Sequence, residues 1–253
     1  MNDSLLSINN LSKTYKGKEG DVPALADLSL AIEQGEIFGL LGPNGAGKTT
    51  AVKMIMGFMQ STQGEIVFQG KELKMSDPRR QFGYLPESFK PNPNLTVFEY
   101  VKLQSDLAGH SSRASSAEIQ KLLEMVGMGH VPKRRISDLS KGMGQRVGLA
   151  QAFAGNPDFL ILDEPTSGLD PIGRSEVIDL LLEMKGQGKT IFFCSHILYE
   201  VERLCDRIGI LVEGRLRFVG SVREFLDKWQ VADLDEGFRK EVNAAGHLAL
   251  GAG

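Results

Sequence analysis

The chain has 253 residues, of which 42% are hydrophobic, and this allows one large domain or two small ones with a substantial core. A formal net charge of -3, from 29 Lys and Arg against 32 Asp and Glu, excludes an overall basic field that would attract nucleic acid or anionic lipid. The two cysteines, Cys194 and Cys205, are too few for a disulfide framework and are expected to be buried free thiols.

The N-terminal segment alternates strand patterns with glycine turns. Strands are predicted in LLSINNLSKTY, ALADLSLAIEQGEIFGLL and GEIVFQGKEL. The strand over residues 36–41 leads into a glycine-rich stretch, and the apolar spacing of KTTAVKMIMGFM predicts a helix after it. No signal peptide is visible and no window reaches the roughly 18 apolar residues of a membrane helix, so the sequence predicts a soluble, cytoplasmic protein.

The middle of the chain changes to helical periodicity. From about Leu95 to Phe153, apolar residues recur at three-to-four spacing, which predicts an inserted helical subdomain. DFLILDEP and TIFFCSH are short, continuous apolar runs, typical of strands buried in a parallel sheet. A helix from about Ile172 to Lys185 is expected to supply the crossover between them.

The C-terminal part carries three local signals. LYEVERLCDRI predicts an amphipathic helix with Cys205 on its apolar stripe, and IGILVEGRLRFVG predicts a hairpin that turns at Glu213 and Gly214. Ser221 and Glu224 predict a capping box for the next helix. The final AAGHLALGAG has no clear periodicity, and residues 230–253 are expected to form a poorly ordered tail.

The glycine-rich stretch GPNGAGKT, residues 42–49, has the spacing G-x-x-x-x-G-K-[ST] of a phosphate-binding loop. Glycine lets successive N–H groups point at phosphate oxygens, and the following helix N-terminus adds its positive dipole end. Lys48 is expected to contact the β and γ phosphates, Thr49 to bind Mg²⁺ and Thr50 to reach the α phosphate. An ordinary glycine-rich turn is the weaker alternative. The expected nucleotide-binding residues here are Gly42, Pro43, Asn44, Gly45, Ala46, Gly47, Lys48, Thr49 and Thr50.

Two adjacent carboxylates, Asp163 and Glu164, end the predicted buried strand FLILD. Successive side chains at a strand end point to opposite sides, so Asp163 is expected to face Mg²⁺ and Glu164 to act as general base for the attacking water. Two solvated carboxylates at a strand end would be the simpler interpretation if the pair stood alone. Beside a phosphate-binding loop, hydrolysis is favoured.

With these motifs in place, Leu5 to Trp229 resembles the ATP-binding subunit of ATP-binding cassette (ABC) transporters. The resemblance implies an α/β fold of the P-loop NTPase type, with a mostly parallel core sheet and an N-terminal antiparallel β subdomain. It places the ATP-binding domain at residues 1–229 and the inserted helical subdomain at about 88–155. ATP and Mg²⁺ are the implied cofactors.

Two further motifs resemble those that meet the nucleotide of a second subunit in the family. LSKGM, residues 139–143, looks like the ABC signature, so Ser140 and Gly142 are implied to bind the γ phosphate across a head-to-tail dimer. Ser140 is also a good helix N-cap, and one hydroxyl can serve both purposes. SGLD, residues 167–170, looks like the D-loop, and this places Asp170 at the same interface.

Two single residues carry the next part of the resemblance. His196, directly after TIFFCS, looks like the switch histidine that contacts the γ phosphate, although a lone histidine after a strand is usually structural. Tyr15 in LSKTYKG looks like the aromatic residue that stacks on adenine. A core position in the strand is the alternative for Tyr15.

The chain departs from the family pattern at three positions. Glu87 in GYLPES stands where most members have glutamine, and a carboxylate there can still bind Mg²⁺. Lys141 replaces the usual glycine of the signature and Met143 the usual glutamine. These two replacements look like those of subunits that serve export-type systems for drugs, antibiotics, lipids or polysaccharides.

The resemblance implies a motor subunit at the cytoplasmic face of the membrane. Its partners would be a separate transmembrane permease, docked at the helical subdomain and the loop around Glu87, and a second copy or a related ATPase subunit. No nucleic acid partner is expected. Two other functions compete: a soluble ABC ATPase acting on nucleic acid or ribosomes, and a regulatory module that holds nucleotide without turnover. The first usually carries additional modules, and the second is disfavoured by intact Lys48, Asp163, Glu164 and His196.

Overall fold

The computed structural model describes residues 4–17, 20–108 and 114–250, with side chains described up to residue 245. The chain divides into two compact units, one formed by residues 1–79 and 192–253 and the other by residues 80–191. Each unit collects segments that the sequence predicts as strands and helices.

The elements follow one another along the chain. The first unit begins with β1 (Ser4–Gly17), β2 (Gly20–Glu33), β3 (Ile37–Leu41), α1 (Lys48–Ile55), β4 (Gln63–Phe68) and β5 (Lys71–Glu72). The second unit contains β6 (Phe82–Leu85), α2 (Val97–Leu107), α3 (Ser116–Met125), a short 3-10 helix (Ile136–Asp138), α4 (Lys141–Phe153), β7 (Phe159–Asp163) and α5 (Pro171–Gly186). β8 (Thr190–Cys194) crosses into the first unit, which continues with α6 (Leu198–Leu204), β9 (Arg207–Val212), β10 (Arg215–Ser221), α7 (Val222–Trp229) and α8 (Leu234–Leu250).

An antiparallel sheet of order β2-β1-β4-β5 forms the N-terminal part of the first unit. β1 and β2 are each 14 residues long, longer than the short strands predicted, and Tyr15 pairs with Val22 near the turn end of their hairpin. Alternating apolar residues face the core: Leu6, Ile8 and Leu11 of β1 are at most 1% exposed. The predicted N-terminal antiparallel subdomain is confirmed.

The strand that leads to the glycine-rich loop is buried on both faces. Every residue of β3 is buried, and β3 pairs in parallel with β9, so the predicted parallel character is confirmed. β9 continues into β10 as an antiparallel hairpin. Its turn residues, Glu213 and Gly214, have φ values of 50° and 73°, the backbone that a tight two-residue hairpin requires.

The second unit combines a parallel strand pair with a helical layer. β6 and β7 pair in parallel, and α4 packs on both strands while α2 and α3 pack with it. The helices lie inside the predicted span of 88–155. The sequence reading missed β6: its four residues FGYL are too few for a periodicity signal, and Gly83 is required because an added Cβ would overlap the Ala152 carbonyl oxygen.

The C-terminal region departs from its prediction. Residues 234–250 form α8, not a poorly ordered tail, whereas residues 251–253 of that prediction lie outside the described part. Lys228 and the Trp229 indole, which follow each other at the end of α7, both donate to the buried carboxylate of Glu241 on α8. A single buried acceptor thus joins two helices, a contact that periodicity does not reveal. Cys205 also differs: it follows the end of α6 and is only half-buried.

Candidate functional site

The loop between β3 and α1 has the backbone that its glycines permit. Gly45 and Gly47 have φ values of 81° and 108°, which side chains strain to adopt. A Cβ at Gly42 would overlap the carbonyl oxygen of Leu211 and lie 2.9 Å from the Ala46 Cβ. The loop therefore packs against β9 as closely as a bare backbone allows, and its shape excludes larger residues.

The loop ends at a helix N-terminus suited to an anion. α1 starts at Lys48, its N-cap is Gly47, and no described side chain caps it. The first N–H groups of a helix have no partner within the helix, and they carry its positive dipole end. Lys48 donates to the carbonyl oxygens of Gly42 and Pro43, the latter at 3.2 Å, so its ammonium lies across the loop. Backbone, dipole and ammonium together fit a phosphate chain.

His196 follows a strand that adjoins β3. Phe38 of β3 and Phe192 of β8 stack with centroids 6.1 Å apart and planes 3° from parallel. His196 is exposed, and buried Ser195 immediately precedes it. His196 thus places an imidazole at the surface directly after a fully buried strand.

Tyr15 lies near the turn end of the β1–β2 hairpin, where Gly17 pairs with Gly20. Its side chain is 40% exposed, which disfavours the alternative of a core position. Its hydroxyl donates to the Met59 sulfur at 3.2 Å, and the Lys13 ammonium lies 5.6 Å from the ring centroid. The hydroxyl contact holds the ring in place while part of its surface stays accessible, as a stacking platform requires.

Replacing Tyr15 by Ala is expected to weaken ATP binding without affecting hydrolysis of bound ATP. One base stacked on an aromatic ring contributes about 1–3 kcal/mol, so the Kd for ATP should rise by roughly 5- to 150-fold. Titration with ATP and with inorganic triphosphate measures the effect. Tyr15→Phe is the matched control: it keeps the ring and loses only the hydroxyl contact with Met59, so it should bind ATP far better than Tyr15→Ala. Equal losses for ATP and triphosphate would rule out base stacking.

In the second unit, Asp163 and Glu164 follow each other at the end of β7. Asp163 is 2% and Glu164 8% exposed, so neither is the solvated carboxylate of the simpler interpretation. Glu164 also has a φ of 55°, in the left-handed region. Such a conformation costs of order 1–3 kcal/mol in a non-glycine residue and persists only where the surroundings impose it. Functional sites are where such residues concentrate.

Gln145 of α4 imposes that conformation, and sequence analysis did not single it out. It is buried, and its side-chain amide donates to the carbonyl oxygens of both Glu164 and Pro165 at 3.0 Å. The Ser167 amide also donates to the Glu164 carbonyl at 3.1 Å. A buried glutamine is costly unless bonded in this way. The one indication in the sequence was that Gln145 is a polar residue on an apolar face of the predicted helix.

The signature and D-loop residues act first as helix caps. Ser140 accepts the Met143 amide at the start of α4, and Asp170 accepts the Gly173 amide at 2.7 Å at the start of α5. Ser140 is exposed, so the N-cap alternative is correct without excluding a ligand contact. The Lys141 stem crosses Gly168, where an added Cβ would lie 2.7 Å from Lys141 Cδ. Lys141, which replaces the usual glycine of the signature, thus contacts the D-loop motif.

Glu87 is exposed on the loop after β6, and residues on both sides of it are held by contacts with α2 and α4. Before it, the Gln151 amide donates to the Tyr84 carbonyl oxygen at 3.2 Å. After it, the Phe89 ring meets the Tyr100 ring edge-on with centroids 6.0 Å apart. The Tyr100 hydroxyl in turn donates to Gln151, and burial raises the pKa of Tyr100 to about 12, which keeps it a donor. These contacts fix the backbone on both sides of Glu87.

The described residues contain no group of three or more His, Cys, Asp or Glu that could hold a metal ion. Proteins commonly bind Mg²⁺ through one or two carboxylates together with phosphate oxygens and water. Thr49, Asp163 and Glu87 offer oxygen donors of the required kind. No helix among the described residues has the length and hydropathy needed to cross a bilayer.

Comparison with known proteins gives consistent results. The family model described as ABC transporter matches residues 25–167. An uncharacterised ABC transporter ATP-binding protein of Synechocystis is 41% identical over 246 residues, covering 96% of this chain and 68% of that protein. The lantibiotic transport ATP-binding protein SrtF of Streptococcus pyogenes is 39% identical, covering 84% and 89%.

Solved structures agree with the sequence matches. An ATP-binding subunit of an ABC transporter superimposes with a TM-score of 0.84 at 32% identity, over 94% of this chain and 99% of that one. A dimeric ATP-binding cassette in a post-hydrolysis state, bound to ADP and Pi, superimposes with a TM-score of 0.80 at 27% identity, over 86% and 99%. The fold, the loop and the matched relatives lead to one conclusion: this chain belongs to the ABC transporter ATP-binding proteins, which are P-loop ATPases of the α/β class.

Proposed function

We propose that this chain is the ATP-hydrolysing motor subunit of an export-type ABC transporter. MgATP closes two such subunits head to tail, and hydrolysis reopens them, while a separate membrane subunit moves the substrate. The observation that carries the proposal is the phosphate cradle at residues 42–47, with its glycine backbone and the Lys48 ammonium across it. A nucleotide that stabilises the closed dimer and is then hydrolysed switches the protein between a closed and an open state.

Each site residue has a role in this cycle. Lys48 and the loop backbone bind the β and γ phosphates, Thr50 the α phosphate, and Tyr15 stacks on adenine. Thr49, Asp163 and Glu87 would hold Mg²⁺, which supplies neutralisation of charge on the β and γ oxygens. Glu164 takes a proton from the attacking water, and His196 donates to the γ phosphate.

The closed dimer uses the signature and the D-loop. Ser140 and Gly142 contact the γ phosphate bound by the opposite subunit, and Asp170 stabilises the same interface. Both Ser140 and Asp170 sit at helix starts, where backbone N–H groups favour an anion. Only ATP, with its γ phosphate, connects both subunits, so ADP leaves them apart.

A relative supports the proposed export role, and the surface composition of α2 supports the proposed membrane docking. SrtF is named for lantibiotic transport, and its 39% identity supports a related task for this chain. Leu103 and Leu107, one turn apart on α2, are 45% and 68% exposed, an apolar surface on the predicted docking subdomain. We place the subunit at the cytoplasmic face of the membrane. No observation favours the soluble alternative that acts on nucleic acid or ribosomes.

Affinity purification tests this proposal. The tagged chain is expressed in its native host, membranes are solubilised in mild detergent, and co-purifying proteins are identified by mass spectrometry. A stoichiometric polytopic membrane protein is expected. Leu107→Asp should lower its recovery several-fold, while the control Leu182→Asp, on α5, should not. Recovery only with ribosomes or nucleic acid, together with robust ATPase activity, would refute the transporter role.

A further inference from the structure

The turn that carries His196 contains a buried carboxylate with no role in the cycle described above. Glu200, in the first turn of α6, is 1% exposed, and Ser195 is fully buried. The Ser195 hydroxyl donates to Glu200 Oε2 at 3.2 Å and accepts the Ile197 amide at 3.0 Å. His196, between these two residues, is exposed. One buried hydroxyl therefore ties the residues on both sides of the imidazole to a carboxylate.

The chemistry of these groups gives the turn one arrangement. A serine hydroxyl has one proton to donate, so Ser195 donates that proton to Glu200 and accepts the Ile197 amide with a lone pair. The Glu200 amide donates to the Ile197 carbonyl at 3.1 Å, which closes the turn around the same residues. Burying a carboxylate is costly, and a solvent-exposed helix cap would stabilise α6 at less cost. α6 has no side-chain cap at Ile197. The buried pair of Ser195 and Glu200 therefore stabilises the start of α6 and also holds the loop before it.

We propose that Glu200 is a positioning residue for the ATPase reaction: through Ser195 it holds the His196 loop in the conformation that lets the imidazole reach the γ phosphate. The proposal rests on the role of His196 proposed above. Glu200 does not touch nucleotide. Loss of the Glu200 carboxylate leaves the His196 side chain unchanged but lets its loop sample other conformations. A reaction slows when a group that contacts the substrate is held loosely.

The test compares Glu200→Ala, Ser195→Ala and the near-isosteric Glu200→Gln in the purified full chain. Mutation of a residue that orients a reacting group without touching the substrate typically lowers activity about 10- to 100-fold, so kcat should fall by that factor for both Ala variants. ATP affinity, measured with MgATP before turnover, should stay within about twofold, because Glu200 contacts no phosphate. Glu202→Gln is the matched control: it lies two residues away on α6, is exposed, and keeps an acceptor for the Leu234 amide.

Combination with His196→Ala separates positioning from a merely structural role. If Glu200 acts through His196, Glu200→Ala should cost almost nothing further in the His196→Ala chain, because the group it positions is gone. The proposal would be overturned if the kcat losses of Glu200→Ala and His196→Ala were additive. It would also be overturned if kcat fell in parallel with the thermal unfolding midpoint in all variants, including Glu202→Gln. Glu200→Gln keeps the volume and an acceptor, so it should retain the wild-type unfolding midpoint even if Glu200→Ala folds poorly.

The outcome for His196→Ala alone distinguishes this inference from the proposed function. A wild-type hydrolysis rate in His196→Ala would refute the assigned role of His196 and the present inference with it. A slow His196→Ala chain beside fully active Glu200→Ala and Ser195→Ala variants would overturn only the positioning role.

Discussion

Glu164→Gln is expected to lower the ATPase kcat by about 10²- to 10⁴-fold, the usual contribution of a general base. Glutamine matches glutamate in shape but cannot take a proton from water. The bonds from Gln145 and Ser167 go to the backbone carbonyl of residue 164, so the strained conformation should survive the substitution. ATP binding should be unaffected. Since ATP is then bound but not destroyed, the variant should accumulate as an ATP-bound dimer.

Light scattering after size-exclusion chromatography measures this accumulation with MgATP and with MgADP. A dimer is expected only with MgATP and only in Glu164→Gln at low protein concentration. Glu183→Gln, an exposed residue of the same unit, is the matched control and should hydrolyse ATP normally. A monomer with MgATP throughout would contradict the head-to-tail dimer, and a wild-type rate would remove Glu164 from the reaction.

Lys48→Ala should lower ATP affinity by at least about 100-fold. Charge-assisted hydrogen bonds contribute about 1.5–3 kcal/mol each, and two of them, to the β and γ phosphates, amount to at least about 3 kcal/mol. In the structure the same ammonium bonds the carbonyls of Gly42 and Pro43, so the variant also loses contacts within the loop. The loss should be larger for ATP than for AMP, which lacks both phosphates.

Isothermal titration with ATP, ADP and AMP measures the loss, and the unfolding midpoint shows whether the loop has collapsed. Lys53→Ala is the control, because Lys53 is an exposed lysine on the same helix, outside the cradle. Retained ATP affinity in Lys48→Ala would refute the assignment of this loop as the phosphate site.

Features that adjacent residues decide could be predicted from the sequence, and features that distant residues decide could not. The hairpin at Glu213 and Gly214 and the capping box of Ser221 and Glu224 were predicted and are confirmed, because the residues that decide them are adjacent. α8 was missed, because the hydrogen bonds that its Glu241 carboxylate accepts come from Lys228 and Trp229, twelve or thirteen residues away on another helix. β6 was missed because its four residues are too few for a periodicity signal and its partner, β7, lies far along the chain.

The candidate site shows the same division. The motif residues, from Gly42 to His196, and the family they indicate follow from residue types at short fixed spacing, since phosphate binding requires particular backbone and charged groups at neighbouring positions. The residues that hold those groups in place do not. Gln145 beneath Glu164, Gln151 beneath the Glu87 loop and Glu200 beneath His196 are ordinary polar residues in helical patterns. Only tertiary structure makes them distinctive, because burial and long-range hydrogen bonds depend on what the fold packs against them.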